Sequence, residues 1–354
     1  MSNLKEATKI GFAYVGVVVG AGFSTGQEVM KFFTHYGLYG YIGVIISGIM
    51  LAFFGRQVAK IGTALDADDH SSTINYLFGK AGIVIDYVLI FFLFGISVTM
   101  IAGAGSAFNE SFGVPTWLGA LIMCIVIYIT LLLDFDKIVK ALGVVTPFLI
   151  IVILIIAGYF FVNGQVGISE INDTVESPSL FWGIAQGFIY GGLAFSVGFS
   201  TLVAIGGDAD KRRISGLGGI IGGVIYLILL ALINAGLLVE YPNIKDIEIP
   251  TLALARTISP IIGFALSVIM LMVMYNTILG LMYSFTARFT VPFTKKYVVL
   301  LTISMVIAYG LSFVGFSSLI DKLYPAMGVI GLVICAAIVV KYISRKSDNK
   351  KHIA

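Results

Sequence analysis

Uncharged apolar runs of membrane-spanning length recur from one end of this chain to the other, and they restrict its folding more than any other feature. A helix that crosses a bilayer needs about 20 mostly apolar residues. Ten segments qualify: 10–33, 40–60, 81–107, 116–133, 141–162, 180–205, 216–238, 260–286, 298–315 and 323–342. Short polar connections separate them, without a Pro/Ser-rich linker. Charged residues make up 12% of the 354 positions and hydrophobic ones 58%, against about 25% charged in a soluble domain. That balance excludes a soluble globule, a disordered chain, a secreted disulfide scaffold and an ordinary nucleic-acid binder. The expectation is an all-α polytopic membrane protein. Cys124 and Cys335 sit inside apolar runs and are read as buried thiols. The run from Ile10 to Val19 is read as a retained first span, not a removed signal, because more membrane-like sequence follows it.

Orientation follows from the distribution of cationic side chains. With the N-terminus inside, 18 of the 22 Lys and Arg residues fall in cytoplasmic loops and tails. The other four, Lys31, Lys245, Arg256 and Lys322, fall outside. This is the positive-inside bias, and one missed or extra span would blur it by swapping the downstream loops. Trp117 and Trp182 lie at outer ends of spans, where an interfacial indole is favoured. The chain is therefore expected in the cell membrane as a multi-pass protein with both termini cytoplasmic, folded as one transmembrane domain over residues 1–354.

An internal repeat sharpens this picture. Gly22-Phe23-Ser24-Thr25 in the first span recurs as Gly198-Phe199-Ser200-Thr201 in the sixth, 176 residues later. Five spans separate the copies, so the two halves, about 5–162 and 180–343, enter the membrane from opposite sides. That is a five-plus-five inverted repeat. Both segments are poor continuous helices, because glycine costs about 1 kcal/mol relative to alanine in a helix interior and Ser/Thr side chains compete for backbone partners. Helices 1 and 6 are expected to be discontinuous. Unwound backbone at membrane depth survives only where protein covers it or a wet cavity adjoins it. Half-helix ends there offer N–H groups to an anion and carbonyls to a small cation such as sodium.

At these residues the chain resembles LeuT-fold transporters of the amino acid–polyamine–organocation superfamily. Val19-Gly20-Ala21-Gly22-Phe23-Ser24-Thr25-Gly26-Gln27-Glu28, followed by further spans, is similar to the bacterial YkvI-type membrane proteins. Val19-Gly20-Ala21-Gly22 is similar to the Val-Gly-Leu-Gly turn of neurotransmitter:sodium symporters, and Ser196-Val197-Gly198-Phe199 to their Ser-Leu-Gly-Phe. The resemblance implies a substrate site around Gly20, Ala21, Gly22, Phe23, Ser24, Ser196, Gly198, Phe199 and Ser200. Backbone N–H groups of Ala21 and Gly22 would hold a carboxylate, Phe199 would pack on the substrate, and Ser196 would help receive an amine. It also implies a sodium site using carbonyls of Gly16 and Val19 with Asn276 and Thr277. Three departures stand out: Asn276 replaces a family Ser, Gly26 occupies the position of a family Arg, and ten spans replace the usual twelve. Spans 1, 2, 6 and 7 would form a moving bundle, and 3, 4, 8 and 9 a scaffold.

Among intramembrane polar residues Glu28 is the sharpest, since a carboxylate in a membrane helix is costly and usually functional. It is expected to pair a substrate amine, carry a coupling proton or gate the outer entrance, with pairing to Lys31 on the same helix face as the bland alternative. Asp86 is expected to pair with a basic loop residue or reach water, Asn234 to be interfacial, and Tyr14, Tyr190 and Tyr283 to be packing residues. Asp66, Asp68 and Asp69 near His70 are read as a solvated loop. Lys140 stands at the cytoplasmic mouth of span 5 instead of in its middle, which tilts the expected coupling ion towards sodium. A short helix outside the bilayer is expected after Pro250. His35, His70 and His352 all fall outside the spans, and no H-E-x-x-H occurs, so an enzyme is not expected. The resulting expectation is a secondary active transporter of a small amino acid or related zwitterion, coupled to sodium or protons, with no other cofactor. Its partners are the small solute and the lipid bilayer. A transporter-like receptor, or a carrier of nucleobases or amines, is the alternative.

Overall fold

The structure is a computed structural model that describes residues 2–67, 70–133, 145–163, 171–175, 178–209 and 211–351. Lys140, Asp68, Asp69 and His352 lie outside these residues. All regular structure among the described residues is helical. The first expected span is divided into three pieces: α1 (Ser2–Val18), α2 (Ala21–Thr25) and α3 (Gln27–Phe32). Then come α4 (Gly40–Leu65), α5 (His70–Phe78), α6 (Gly82–Phe112), α7 (Thr116–Leu132), α8 (Val145–Asn163), α9 (Leu180–Gly207) and α10 (Arg212–Val239). The chain ends with α11 (Pro250–Ile258), α12 (Pro260–Phe289), α13 (Lys295–Ser312) and α14 (Phe316–Lys351).

Among the described residues seven helices are long and apolar enough to cross a membrane: Thr34–Leu65, His70–Phe112, Leu180–Gly207, Arg212–Val239, Pro260–Phe289, Lys295–Ser312 and Phe316–Ser344. Two shorter apolar ones, Thr116–Leu132 and Pro147–Phe160, accompany them. Their outer faces carry Ile49, Phe91 and Val306 at 60%, 63% and 66% exposure. Contiguous exposure of this kind suits hydrocarbon and not water. This is a multi-pass membrane protein.

The break in the first span has a local cause. Gly20 sits in extended backbone, which stops the helix after Val18, and Gly26 takes a left-handed conformation with φ 78°. Glycine adopts that region without the Cβ penalty. The Thr25 hydroxyl donates to the Gly22 carbonyl at 2.7 Å and accepts from the Gln27 N–H at 3.3 Å, serving backbone groups that the turn leaves unpaired.

The sixth span corrects the expectation of a matching break, because α9 runs without interruption from Leu180 to Gly207. Its small residues meet neighbouring helices instead. A Cβ at Gly187 would come 2.5 Å from the Gly43 Cα, and one at Gly191 2.6 Å from the Met50 sulfur. Gly192 abuts the backbone of Gly328 on α14. The Ser196 hydroxyl donates back to the Gly192 carbonyl at 2.9 Å. Close packing of small residues stabilises the helix that composition alone would weaken.

Glycine contacts also set helix directions. Gly43, Met50 and Ala59 of α4 meet Gly187, Gly191 and Gly206 of α9, so the two helices run parallel. Ala52, Gly55 and Lys60 of α4 meet Gly223, Gly219 and Gly216 of α10, so this pair is antiparallel. α1, α4, α9 and α10 pack on one another, as do α6, α7, α12 and α13. These are the two groups expected as bundle and scaffold.

Candidate functional site

Beside the break between α1 and α2, a cavity of about 440 Å³ opens between the two helix groups. A volume of this size accommodates a small organic molecule. Its deep end holds Glu28, Tyr190, Tyr226 and Tyr324, and its other end holds His70, Thr201 and Ser284. The latter residues lie towards the face that carries the basic connections, called the basic face below. Gly280 and Ser284 are exposed on that side.

Glu28 reaches the cavity because the left-handed turn at Gly26 folds α3 back against α2. A Cβ on Gly22 would overlap the Glu28 carboxylate, so glycine at 22 is what admits it. Glu28 Oε2 accepts from the Tyr190 hydroxyl at 3.2 Å, and Tyr324 lines the same end of the cavity. Tyr190 and Tyr226 share a hydrogen bond of 2.5 Å. Three helices, α9, α10 and α14, thus each bring one tyrosine to a carboxylate on α3. The pairing of Glu28 with Lys31 does not form: Lys31 Nζ bonds Asp321 of α14 at 2.8 Å.

The structure gathers part of the expected site. Gly16, Val19, Gly20, Gly22, Glu28, Ser200, Asn276 and Thr277 all line this one cavity. Asn276 makes no hydrogen bond among the described residues, and the Thr277 hydroxyl donates to the Val273 carbonyl at 2.9 Å. The backbone of Ala21 begins α2 at the break. Other expected residues point elsewhere. Phe199 is buried against Phe195, with ring centroids 5.8 Å apart, and Phe23 is buried against Tyr226 at 5.4 Å. Gly198 faces Tyr14 and Val18 of α1, Ser196 bonds its own helix, and Ser24 is buried with its carbonyl turned towards α11. The reason is the continuity of α9: without a break its 198–199 segment keeps the helical register that faces neighbouring helices, and Ala194, Val197 and Thr201 face the cavity instead.

Two further networks bracket the cavity. On the face opposite the basic one, the Thr251 hydroxyl on α11 donates to the Ser24 carbonyl at 2.5 Å. Gln27 Nε2 donates to Ser317 Oγ at 3.0 Å beside the Lys31–Asp321 pair. These contacts close the break on that side, and α11 is the short helix expected after Pro250. Near the basic face, Asp86 is buried and pairs with both Arg288 and His70, the latter at 3.0 Å. Asp86 therefore finds basic partners on helices and not in a loop, Arg288 in the last turn of α12 and His70 at the start of α5, and His70 belongs to the cavity mouth. Asn234 is buried, not interfacial, and accepts from the Thr34 hydroxyl at 2.9 Å. Among the described residues no group of three or more His, Cys, Asp or Glu side chains is arranged to hold a metal ion.

Sequence reasoning missed Tyr226 and Tyr324, and it placed Tyr190 among packing residues. A tyrosine inside an apolar run carries no signal of whether its hydroxyl faces a neighbour or a cavity.

No family model matches the chain. It is 27% identical over 347 residues to the uncharacterized membrane protein YkvI of Bacillus subtilis (strain 168), covering 96% of this chain and 97% of that protein. Its fold resembles MhsT in complex with L-phenylalanine, with a TM-score of 0.61 at 14% identity over 95% of this chain and 97% of that one. It resembles a manganese transporter of Eremococcus coleocola with a TM-score of 0.60 at 14% identity, over 93% and 76% of the two chains. Mhp1 in its inward-facing conformation gives 0.60 at 14% identity, over 96% and 76%. At such identities the likeness is one of fold. The arrangement is that of LeuT-fold transporters, as the sequence resemblance implied, and these neighbours are transporters rather than enzymes.

Proposed function

We propose that this chain is a secondary active transporter that carries a small organic solute bearing an ammonium group, the amino acids and related zwitterions of the sequence reading included. One observation carries the proposal. A cavity at a broken helix holds a carboxylate at its deep end, opens towards one face, and is sealed from the other by a few contacts between helices. A site accessible from one side and closed by breakable contacts suits alternating access better than a continuous pore. In this reading ten spans form a five-plus-five inverted repeat within one domain, the basic face is cytoplasmic with both termini, and the state described here is inward-facing. Sodium is the proposed coupling ion. Gly16 and Val19 from the first span and Asn276 and Thr277 from α12 line the same cavity, and carbonyl, amide and hydroxyl oxygens are the ligands a hard cation takes.

The test is uptake by purified protein in liposomes under an imposed sodium gradient, with choline as control, and separately under a pH gradient. Concentrative uptake of an amino-bearing solute that collapses with the gradient is the expected result. Saturable binding without net flux would make the protein a receptor and contradict the proposal.

A further inference from the structure

On the basic face, an open groove of about 380 Å³ is lined by Arg56 and Lys60 of α4 and by Arg212, Arg213 and Gly216 of α10. It shares no lining residue with the central cavity. The antiparallel packing of the two helices brings these basic pairs together. Arg56 and Lys60 stand four residues apart on one face of α4. Gly216 admits their stems, since a Cβ there would come 2.9 Å from Lys60 Cγ and Cδ and 3.4 Å from Arg56 Cγ. Arg212 Nε donates to the Lys60 carbonyl at 3.4 Å, which holds the start of α10 against α4. Among the described residues no acidic side chain lines the groove, and no ion pair engages Arg56, Arg212 or Arg213.

Like charges four residues apart on a helix repel, so a groove of four cations without an acid is completed by an anion. Guanidinium groups suit a phosphate, whose oxygens accept two parallel N–H bonds. A soluble phosphate would use the groove alone, but the surface beside it favours a lipid. Arg213 begins a face of α10 that continues through the exposed Leu217, Val224 and Ile228. Arg56 ends a face of α4 that carries the exposed Ile45 and Ile49. Both apolar strips start at the groove, so acyl chains can lie along them while the headgroup stays at the polar boundary. We infer that this groove binds the headgroup of an anionic phospholipid, with its phosphate on the arginines and its acyl chains along α4 and α10. Phosphatidylcholine and phosphatidylethanolamine fit less well, because their ammonium groups would enter among four cations. The groove lies outside the solute cavity, so the lipid site does not depend on the transport reading.

Thermal unfolding of the purified protein in neutral detergent tests this, with phosphatidylglycerol, phosphatidylcholine or inorganic phosphate added in turn. Phosphatidylglycerol should raise the unfolding temperature, and its half-saturating concentration should rise about fivefold for each arginine replaced by glutamine. The triple variant Arg56→Gln, Arg212→Gln, Arg213→Gln should therefore need about 100-fold more lipid. Arg213→Gln alone, at an exposed position, supplies the fivefold step where the triple variant does not fold. A control of equal charge, with Arg345, Lys346 and Lys350 replaced by glutamine, should keep the wild-type response. Equal stabilisation by phosphatidylcholine, or a control variant that loses as much as the groove variants, would overturn the inference. An unchanged response to phosphatidylglycerol in Arg213→Gln would do the same. Inorganic phosphate that stabilises as fully as phosphatidylglycerol would also overturn it, making the groove a site for a soluble anion.

Discussion

At the residue scale the first span turns on three glycines with different tasks. Gly26 needs its positive φ, and a Cβ there would also come 2.7 Å from Thr251 Cγ2. Gly26→Ala should cost about 1–2 kcal/mol from the left-handed backbone alone, seen as a lower unfolding temperature in detergent. Gly20 has φ −88° and open space around a Cβ, so Gly20→Ala should stay within about 0.5 kcal/mol of wild type. Gly22→Ala displaces the Glu28 carboxylate. It should weaken binding of an ammonium-bearing solute at least about tenfold, one tenfold step being 1.4 kcal/mol, with a smaller change in unfolding temperature than Gly26→Ala. Glu28 itself was legible, since an acidic residue inside an apolar run is costly enough to need a reason. Its tyrosine partners were not, because they come from three distant helices and look like any amphipathic core residue.

At the element scale the first and sixth spans share a four-residue motif but differ in fate. In the first, polar residues continue from Ser24 through Glu28, whereas in the sixth Thr201 is followed by Leu202-Val203-Ala204. That contrast was readable; the partners that reward a continuous α9 were not, for they lie on α4 and α14. Gly192→Leu would drive a side chain into the Gly328 backbone and should destabilise the protein by about 1–3 kcal/mol, measured by thermal unfolding. The helix α11 acts as a cap through its Thr251–Ser24 bond. Removing a hydrogen bond costs about 1 kcal/mol, which is about a fivefold change in an equilibrium. With Cys124 and Cys335 replaced by alanine, alkylation of a Ser24→Cys variant should quicken by about that factor when Thr251→Val is added. An unchanged rate would remove α11 from the closing mechanism.

At the scale of the whole molecule, span lengths and the charge bias were legible because hydrocarbon imposes them on every segment. The grouping of α1, α4, α9 and α10 against α6, α7, α12 and α13 agrees with the division that the family resemblance implied. The cavity between the groups has contacts that hold one side shut, and these contacts are few enough to exchange for others. The most direct test of that claim compares two cysteines in the same background: Ser24→Cys beneath the closed face and Ser284→Cys at the cavity mouth. Their alkylation by a membrane-impermeant reagent is followed with and without a saturating concentration of the solute that uptake assays identify. Alternating access predicts that the ligand moves the two rates in opposite directions. Two rates that rise together, or that both ignore the ligand, would contradict the account.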